Sequence, residues 1–224
     1  MAGQRSTEQK TKAPRIDEVE LPELETATEL EPQAHGFLEA KLLDRLDLTD
    51  RDLTGIQFLE SKLDGVTLHE AKLKSATFKE SVLSRINAPV FSAPRGRWSN
   101  VLLADSRLGS VELYETGFSS VRFANCKLGY IHLRGANRLD VVFDNCSIDE
   151  LDLGNAKATR VAFPDTRIGK LDITHAVFQD FDLRAAEIAE LISVEALAGS
   201  TLSEQQVLFL ATSLARNLGI RVEN

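Results

Sequence analysis

Few side chains in this sequence are arranged for acid–base, nucleophilic or metal chemistry. The 224 residues include two cysteines, Cys126 and Cys146, and four histidines spread from His35 to His175. The cysteines do not have the spacing of a zinc site, and neither a Ser–His–Asp pattern nor a glycine-rich phosphate loop is evident. Asp and Glu are spread evenly over positions expected to face outward, as on a solvated surface. We therefore predict that the protein is not an enzyme and that it binds no cofactor and no metal.

Charge is distributed unevenly along the chain. The net charge is −8, yet residues 41–137 carry 14 Lys/Arg and 11 Asp/Glu, a net of +3. Residues 138–192 carry 6 and 11, a net of −5. No block is basic enough to predict direct nucleic-acid binding. An apolar run of signal-peptide or membrane-span length is also lacking, so we expect a cytoplasmic protein without membrane contact.

Apolar residues recur at every fifth position of the central sequence. Residues 41–190 divide into thirty blocks of five, and 29 of these have an apolar third residue, Arg138 being the exception. A period of five fits neither a helix nor a strand. A second period of twenty runs through similar residues, as in Val101, Val121, Val141 and Val161. Four sides of five residues thus make one turn, and the turns stack as a solenoid.

Two columns of this twenty-residue repeat make specific predictions. One consists of Asp and Asn at fifth positions, which bend the chain and bond to their own backbone. The other places Cys126 and Cys146 one turn apart with parallel Cα–Cβ bonds, about 4.8 Å from each other. A disulfide needs converging Cβ atoms at about 3.5–4.5 Å, so we expect two buried free thiols. The columns are Asp105, Asn125, Asn145, Asp165 and Ser106, Cys126, Cys146, Thr166.

Several blocks resemble the pentapeptide repeat pattern A-(D/N)-L-x-x, among them RDLTG at residue 51, AKLKS at 71 and VRFAN at 121. The resemblance covers about two thirds of the chain. It implies an all-β solenoid, a right-handed quadrilateral parallel β-helix, which we place at residues 36–192 with about 7–8 coils. The first two positions of the blocks often depart from Ala and Asp/Asn, but the inward-facing positions are kept.

Two places strain the pattern. The coil from Ile86 to Asn100 contains two prolines and two small third-position residues. A domain linker is one interpretation, but the register of five continues to Leu103, so we expect a continuous rod with a thinned or kinked coil. That coil is the predicted groove for a partner, with Arg95 and Arg97 as contacts. Arg138 predicts either a bulge that turns Leu139 inward or a cationic partner contact.

The two ends differ from the rod. Residues 1–35 are predicted to be a disordered acidic tail, either a solvated leader or a segment that folds on a partner. Residues 193–224 are predicted to be a helical cap. Ser203 and Gln206 form a capping box, and Gly219 follows a helix that ends near Leu218. One arc of this helix should cover the last coil: Val207, Leu210, Ala211, Leu214, Ala215 and Leu218.

Phe209 points away from that arc and allows two interpretations. It contacts a second copy of the chain in a homodimer, as the resemblance implies for some members of the family, or it folds back on Leu197 or Ile192. The first interpretation makes residues 193–224 a dimerisation element. Phe209 is therefore the candidate dimer contact.

A filled rod leaves only its exterior for function. We predict a rigid, non-enzymatic scaffold or regulator that binds an unidentified protein partner. The resemblance implies an alternative, because some pentapeptide repeat proteins mimic duplex DNA, bind gyrase or another type II topoisomerase, and modulate quinolone sensitivity. The acidic second half fits this alternative, with Asp149, Glu150 and Asp165 as candidate contacts. The net positive charge of residues 41–137 argues against it, as does the lack of loops that interrupt the register.

Overall fold

The structure is a computed structural model that describes residues 10–137 and 140–223. Within those residues the chain forms short strands, one 3₁₀ helix at Val194–Ala196 and one α-helix, α1, at Glu204–Asn217. The strands, in chain order, are β1 Glu25–Thr26, β2 Phe37–Glu39, β3 Lys41–Asp44, β4 Gln57–Leu59, β5 Lys62–Asp64, β6 Thr77–Ser84, β7 Asn87–Ser92, β8 Arg97–Ala104, β9 Arg107–Glu112, β10 Gly117–Ala124, β11 Lys127–His132, β12 Val141–Asp144, β13 Ser147–Asp152, β14 Lys157–Ala162, β15 Thr166–Asp172, β16 Val177–Asp182, β17 Ala186–Ile192 and β18 Ser200–Thr201.

All of the strand pairs are parallel, and along the rod they join residues twenty positions apart. Phe78 pairs with Trp98, and Trp98 in turn pairs with Phe118. The strands form a 12-stranded sheet and a 6-stranded sheet in which β7, β9, β11, β13, β15 and β17 follow one another. The predicted parallel β-solenoid is confirmed. It has about nine turns, slightly more than expected, because the segments around β2 and β18 also stack on the coils.

The interior is filled by the first and third residues of each block. Every described third-position residue from Leu43 to Leu183 is buried. Aromatic rings stack from turn to turn, with ring centroids 5.0 Å apart for Phe58 and Phe78 and 4.7 Å apart for Phe123 and Phe143. The gap left between the aromatic rings in the second half is only about 10 Å³. This is the close packing expected when a fixed side length sets the space available.

Left-handed backbone marks the corners. The column Asp105, Asn125, Asn145 and Asp165 has φ values of 51°, 55°, 50° and 48°. Asn125 Nδ2 donates to Asp105 Oδ1 at 3.1 Å, and Asn145 Nδ2 donates to Asn125 Oδ1 at 2.9 Å. Asp and Asn tolerate this conformation better than most residues. The prediction that these residues bend the chain is therefore confirmed. The Asp105, Asn125 and Asn145 side chains, however, bond to one another from turn to turn rather than to their own backbone.

The coil from Ile86 to Asn100 is continuous with its neighbours. The N–H of Ser75 donates to the carbonyl of Pro94 at 2.8 Å, so the proline-containing corner keeps its bond to the coil before it. The expected thinning is not found. Ala88 and Ala93 are small, but Phe91 lies fully buried between them, with its ring centroid 6.3 Å from that of Trp98. The large first-position side chain of Phe91 therefore fills the space left by the small third-position residues Ala88 and Ala93.

The segment expected to be a disordered tail is ordered in its described part. Residues 10–27, hereafter the strap, run along the outside of the rod from its last turn back to its first. Near one end, the N–H of Lys12 donates to Asp180 Oδ1 at 3.0 Å; at the other, β1 pairs with β3. The strap lacks a helical or strand period because it contacts the rod only through single apolar side chains and through its main chain. Residues 1–9 lie outside the described part.

The C-terminal cap follows the predicted boundaries but packs differently. The capping box of Ser203 and Gln206 is present, and Gly219 has φ 76°. Of the predicted arc only Leu210 is buried, Leu214 and Ala215 are half-buried, and the rest is exposed. The last coil is covered instead by the segment before the helix, where Ala196, Leu197 and Leu202 pack against the core. The helix is attached mainly through Gln206 Nε2, which donates to the carbonyls of Leu183 and Ala186 at 2.6 and 2.9 Å.

Candidate partner-binding surfaces

The exterior is the part of this molecule that can bind another molecule. Among residues 10–137 and 140–223, no group of three or more His, Cys, Asp or Glu is placed to hold a metal ion. No helix in the same part of the chain is long and apolar enough to cross a membrane.

Arg95 and Arg97 border one open cleft of about 550 Å³, together with Asn137. Arg95 lies at a left-handed corner, where its Nε is 2.7 Å from Glu115 Oε2 and its Cζ is 5.9 Å from the centre of the Tyr114 ring. Arg97 lies in β8 with an exposed side chain. An open cleft thus lies beside this coil. Both arginines are exposed, and Arg95 is paired with Glu115.

The acidic candidates lie elsewhere. Asp149 is exposed in β13 and lines a smaller groove of about 230 Å³ with Pro89, Gly109 and Gly129. Glu150 is next to it and its Oε1 lies 3.1 Å from Lys170 Nζ. Asp165 is at an exposed corner between the two sheets. The structure therefore brings Arg95 and Arg97 together, and Asp149 with Glu150, but it does not join all the candidates into one site.

Arg138 was the remaining predicted contact. It lies outside the described residues, as does Leu139, so the bulge and the partner contact considered at this position both stay predictions. Asn137 and Asp140, which flank the pair, are both described, and Asn137 keeps the register by bridging to Gly117 and Lys157.

The acidic half of the rod is extensively neutralised by arginine and lysine. Arg160 binds Asp140 with two hydrogen bonds of 2.6 Å, one from Nε and one from Nη2. Burial alone would raise the pKa of Asp140, but this pairing lowers it. Further ion pairs of this half are Arg122–Asp144, Lys170–Glu150, Arg167–Glu187 and Arg184–Asp182. Each of these pairs connects adjacent or nearby turns, or the two sides of a corner.

Sequence reasoning missed a buried polar cluster around Asp152. Asp152 is 5% exposed, and its Oδ2 accepts from Arg134 Nε at 2.7 Å and from the Tyr130 hydroxyl at 3.1 Å. Burial and the Asp152 charge raise the pKa of Tyr130 to about 12. The second guanidinium nitrogen reaches Asp172, 3.5 Å away. The sequence did contain a signal for this cluster, because oppositely charged residues 18 or 20 positions apart lie close together in a twenty-residue repeat.

The cysteine column has a hydrogen-bonding role. Both thiols are free and buried, as predicted. Cys126 Sγ lies 3.2 Å from the carbonyl of Ala124, and Ser106 Oγ makes the same contact with Ala104 at 2.7 Å. The neighbouring thiol of Cys146 and burial raise the pKa of Cys126. The raised pKa keeps the Cys126 thiol protonated inside the rod, where it is a poor nucleophile.

Phe209 is 65% exposed and is therefore not buried against Leu197 or Ile192. It borders an open cleft of about 710 Å³ between α1 and the face of the rod that carries Ile168 and Ile188. Further apolar side chains of the cap are exposed beside it, namely Val207, Leu208, Leu218, Ile220 and Val222.

The sequence model of pentapeptide repeats matches residues 43–79 in eight copies. Beyond that segment the same register continues through the strand pairs up to Ile192. The chain therefore contains pentapeptide repeats. No curated protein matches the chain significantly.

Three solved structures illustrate the similarity. Two are trypsin-treated forms of QnrB1, a plasmid-mediated fluoroquinolone resistance protein. The first is 18% identical, covers 89% of this chain and 96% of that one, and has a TM-score of 0.30. The second is 14% identical, covers 84% and 97%, and has a TM-score of 0.31. The third is HetL, a pentapeptide repeat protein involved in heterocyst differentiation regulation in the cyanobacterium Nostoc, at 16% identity, 75% and 87% coverage and a TM-score of 0.35.

Proposed function

We propose that this pentapeptide repeat protein is a rigid, non-enzymatic scaffold or regulator that binds a protein partner through its exterior in the cytoplasm. The observation that carries the proposal is the filled interior, in which third-position side chains from Leu43 to Leu183 are buried and the gap among the aromatic rings is about 10 Å³. Catalysis generally requires a concave pocket with converging titratable groups. In this proposal residues 36–192 are the binding rod and residues 193–224 are its cap.

The cleft of Arg95 and Arg97 is the proposed partner contact. Arg95 pairs with Glu115, but its side chain is still 51% exposed and can reach a partner. Arg97 is exposed beside it, and the cleft of about 550 Å³ is open to an acidic loop of a partner. Arginine suits such contacts because its planar guanidinium binds carboxylates with two hydrogen bonds.

A capture experiment with matched variants tests this contact. The intact chain is immobilised, and proteins retained from a lysate are compared for the parent, Arg97→Glu and Arg107→Glu. Arg107 is also an exposed strand arginine, but it lies half a turn away in β9. We expect a retained protein that is lost with Arg97→Glu and kept with Arg107→Glu. Equal retention by all three variants, or no retained protein, contradicts the proposed contact.

The DNA-mimic hypothesis has weaker support, because a mimic needs acidic side chains that are free to contact a DNA-binding surface. Asp140, Asp144 and Asp152 are each paired with an arginine. The exposed acids Asp149 and Asp165 lie on different parts of the turn. A gyrase supercoiling assay distinguishes the two hypotheses: inhibition or protection from a quinolone supports mimicry, whereas unchanged supercoiling supports a different protein partner.

A homodimer through α1 is a separate proposal, which rests on the exposed apolar residues of the cap. Exposed apolar patches of this kind usually mark an interface. Phe209 is 65% exposed and Leu208 is 76% exposed. Sedimentation velocity of the parent and of Phe209→Ser measures the effect, with Leu30→Ser as a control because Leu30 is 81% exposed far from the cap. A dimer in the parent and the control, and a monomer for Phe209→Ser, is expected. A monomeric parent contradicts the proposal.

A further inference from the structure

The strap contacts a single corner of the rod. The N–H of Asp17 donates to Ser120 Oγ at 2.8 Å, the N–H of Arg15 to Asp140 Oδ1 at 3.0 Å, and the N–H of Lys12 to Asp180 Oδ1 at 3.0 Å. Ser120, Asp140 and Asp180 occupy the same position in three different turns. The strap therefore donates main-chain N–H groups to side-chain acceptors of this corner and runs antiparallel to the direction in which the turns advance.

The dimensions agree with an extended peptide. From Thr11 beside Thr201 to Glu25 beside Lys41 the rod advances by eight turns, or about 38 Å at the spacing of paired strands. Fourteen residues in extended conformation span about 46–50 Å at most. The strap thus covers the corner with little slack. This is how an extended ligand binds, with main-chain hydrogen bonds and side chains at alternating depths.

Apolar side chains of the strap supply the second contact. Ile16, Val19, Leu21 and Leu24 are half-buried, and Ala27 is 5% exposed. None of the first four lies in the core of the rod. Partial burial at several points is typical of a peptide on a surface, because a structural strand of this rod buries its first and third residues completely.

Charge complementarity fixes the direction of the strap. Its first part contains Lys10, Lys12 and Arg15, and its later part, residues 17–25, contains one Asp and four Glu. The basic part lies on the turns of residues 138–192, whose net charge is −5, and the acidic part approaches the turns of residues 41–137, whose net charge is +3. At the acidic end, Glu25 Oε2 lies 2.8 Å from Lys41 Nζ. The reverse orientation would place like charges together.

The corner offers a hydrogen-bonding group that the strap does not use. Asn100 Oδ1 belongs to the same column, is shielded from solvent and has no hydrogen-bond partner among the described residues. Between Asp17 and Glu25, moreover, the described residues show no hydrogen bond from the strap to the rod. Contact that is incomplete in this way is expected of an exchangeable ligand, because buried polar groups of a permanent core are normally paired.

We propose that this corner is a binding site for an extended peptide, which the strap fills within the same chain and from which a partner's peptide of the same charge order displaces it. The partner segment has basic residues at its N-terminal end, spaced apolar residues in the middle and acidic residues at its C-terminal end. Only the step of displacement by a partner rests on the proposed function. The affinity of the corner for the strap is independent of it.

The test uses the full chain, cut after folding. A protease site is inserted at Leu30, which is 81% exposed, and the folded protein is cleaved so that the strap is no longer covalently attached. A fluorescent synthetic peptide of residues 10–27 is then added. We expect the fragment to remain with the rod in gel filtration at low salt, the labelled peptide to bind saturably by replacing it, and the circular dichroism of the rod to be unchanged.

Variants and control peptides make the test specific. Asp140→Asn and Asp180→Asn should each weaken peptide binding by about tenfold, as the loss of a hydrogen bond to a charged group does. Asp182→Asn is the matched control and should leave affinity unchanged, because the Asp182 carboxylate binds Arg184 instead. A peptide with the residues of 10–27 in reverse order should bind much more weakly.

Three results would overturn the inference. In the first, the fragment dissociates and the labelled peptide does not bind. In the second, the rod loses its β-sheet circular dichroism when the fragment dissociates, which would make the strap part of the fold. In the third, the reversed peptide binds as well as the natural one. Failure of the proposed function is distinguishable, since a rod that captures no lysate protein but binds the labelled peptide contradicts only the partner proposal.

Discussion

Arg15 donates its backbone N–H to Asp140 Oδ1 at 3.0 Å, although the two residues are 125 positions apart in the sequence. Asp140 also accepts two hydrogen bonds from Arg160, one turn further along the rod. One carboxylate therefore joins the strap and two successive turns. In a solenoid, where each turn otherwise contacts only its neighbours, such a link adds contact between distant parts of the chain.

Acidification should weaken the fold through Asp140. Burial alone would raise the pKa of this carboxyl, but hydrogen bonds from the Arg160 guanidinium and the Arg15 N–H outweigh burial and lower it. A lowered pKa in the folded state means that the stabilisation is complete above about pH 4, the unfolded value, and is lost as pH falls through the folded pKa. Urea unfolding at about pH 7, 5 and 3 measures this loss, which should be smaller in Asp140→Asn. Asp105→Asn, at an exposed corner, should behave like the parent; an unchanged pH dependence in Asp140→Asn contradicts the assignment.

Replacing Asp152 should destabilise the rod. Asp152→Ala leaves the Tyr130 hydroxyl, the Arg134 Nε–H and the N–H of Gly154 without their acceptor, and should lower the free energy of unfolding by about 1–3 kcal/mol. Asp149→Ala, three residues earlier and exposed, should change it by less than about 0.5 kcal/mol. Chemical denaturation of both variants is the measurement, and equal effects would show that the cluster does not stabilise the fold.

Two glycines separate backbone conformation from close packing. Gly199 and Gly219 both have left-handed backbone, with φ 84° and 76°. A Cβ at Gly199 would lie 2.1 Å from the carbonyl oxygen of Phe178, whereas one at Gly219 would meet nothing within 4 Å. Gly219→Ala should therefore lower the free energy of unfolding only by the conformational cost of left-handed backbone, about 1–2 kcal/mol. Gly199→Ala should lower it by about 1–3 kcal/mol more, because of the steric clash. Similar thermal unfolding shifts for the two would refute the close approach of β18 to β16.

The thiols should be inaccessible in the folded protein. Cys126 and Cys146 are buried at 3% and 4% exposure, and the pKa of Cys126 is raised. Ellman's reagent should label neither residue in the native chain within minutes and both at once in about 6 M guanidinium, since only the exposed thiolate reacts. Rapid labelling of the native chain would place the column outside the core.

The rod could be predicted from the sequence because every side of every turn requires an apolar residue at the same position. Third-position residues such as Leu53, Leu103 and Leu153 must point inward in every turn, so one period fixes register, burial and fold together. The helix start at Ser203 was equally local, since the capping box lies within four residues. Both features are set by residues close in sequence or at a fixed interval.

The strap and the surface clusters could not be predicted in the same way. Lys12 donates its backbone N–H to the Asp180 carboxylate, and neither a sequence period nor a residue type predicts such a contact. A signal did exist in the opposite order of charges in residues 10–25 and 41–192. The packing of α1 was mispredicted because an apolar arc shows which face prefers burial, but not that Leu197 and Leu202 already cover the last coil.

The most direct test of the central claim, a filled and continuous rod with only its exterior available, is the fluorescence of Trp98. It is the single tryptophan of the chain, is 0% exposed and lies between Phe78 and Phe118 in the coil that most resembles a linker. We predict a blue-shifted emission that acrylamide barely quenches, and a cooperative red shift on unfolding in urea. Native emission at the wavelength of the unfolded chain, with full quenching by acrylamide, would contradict the account.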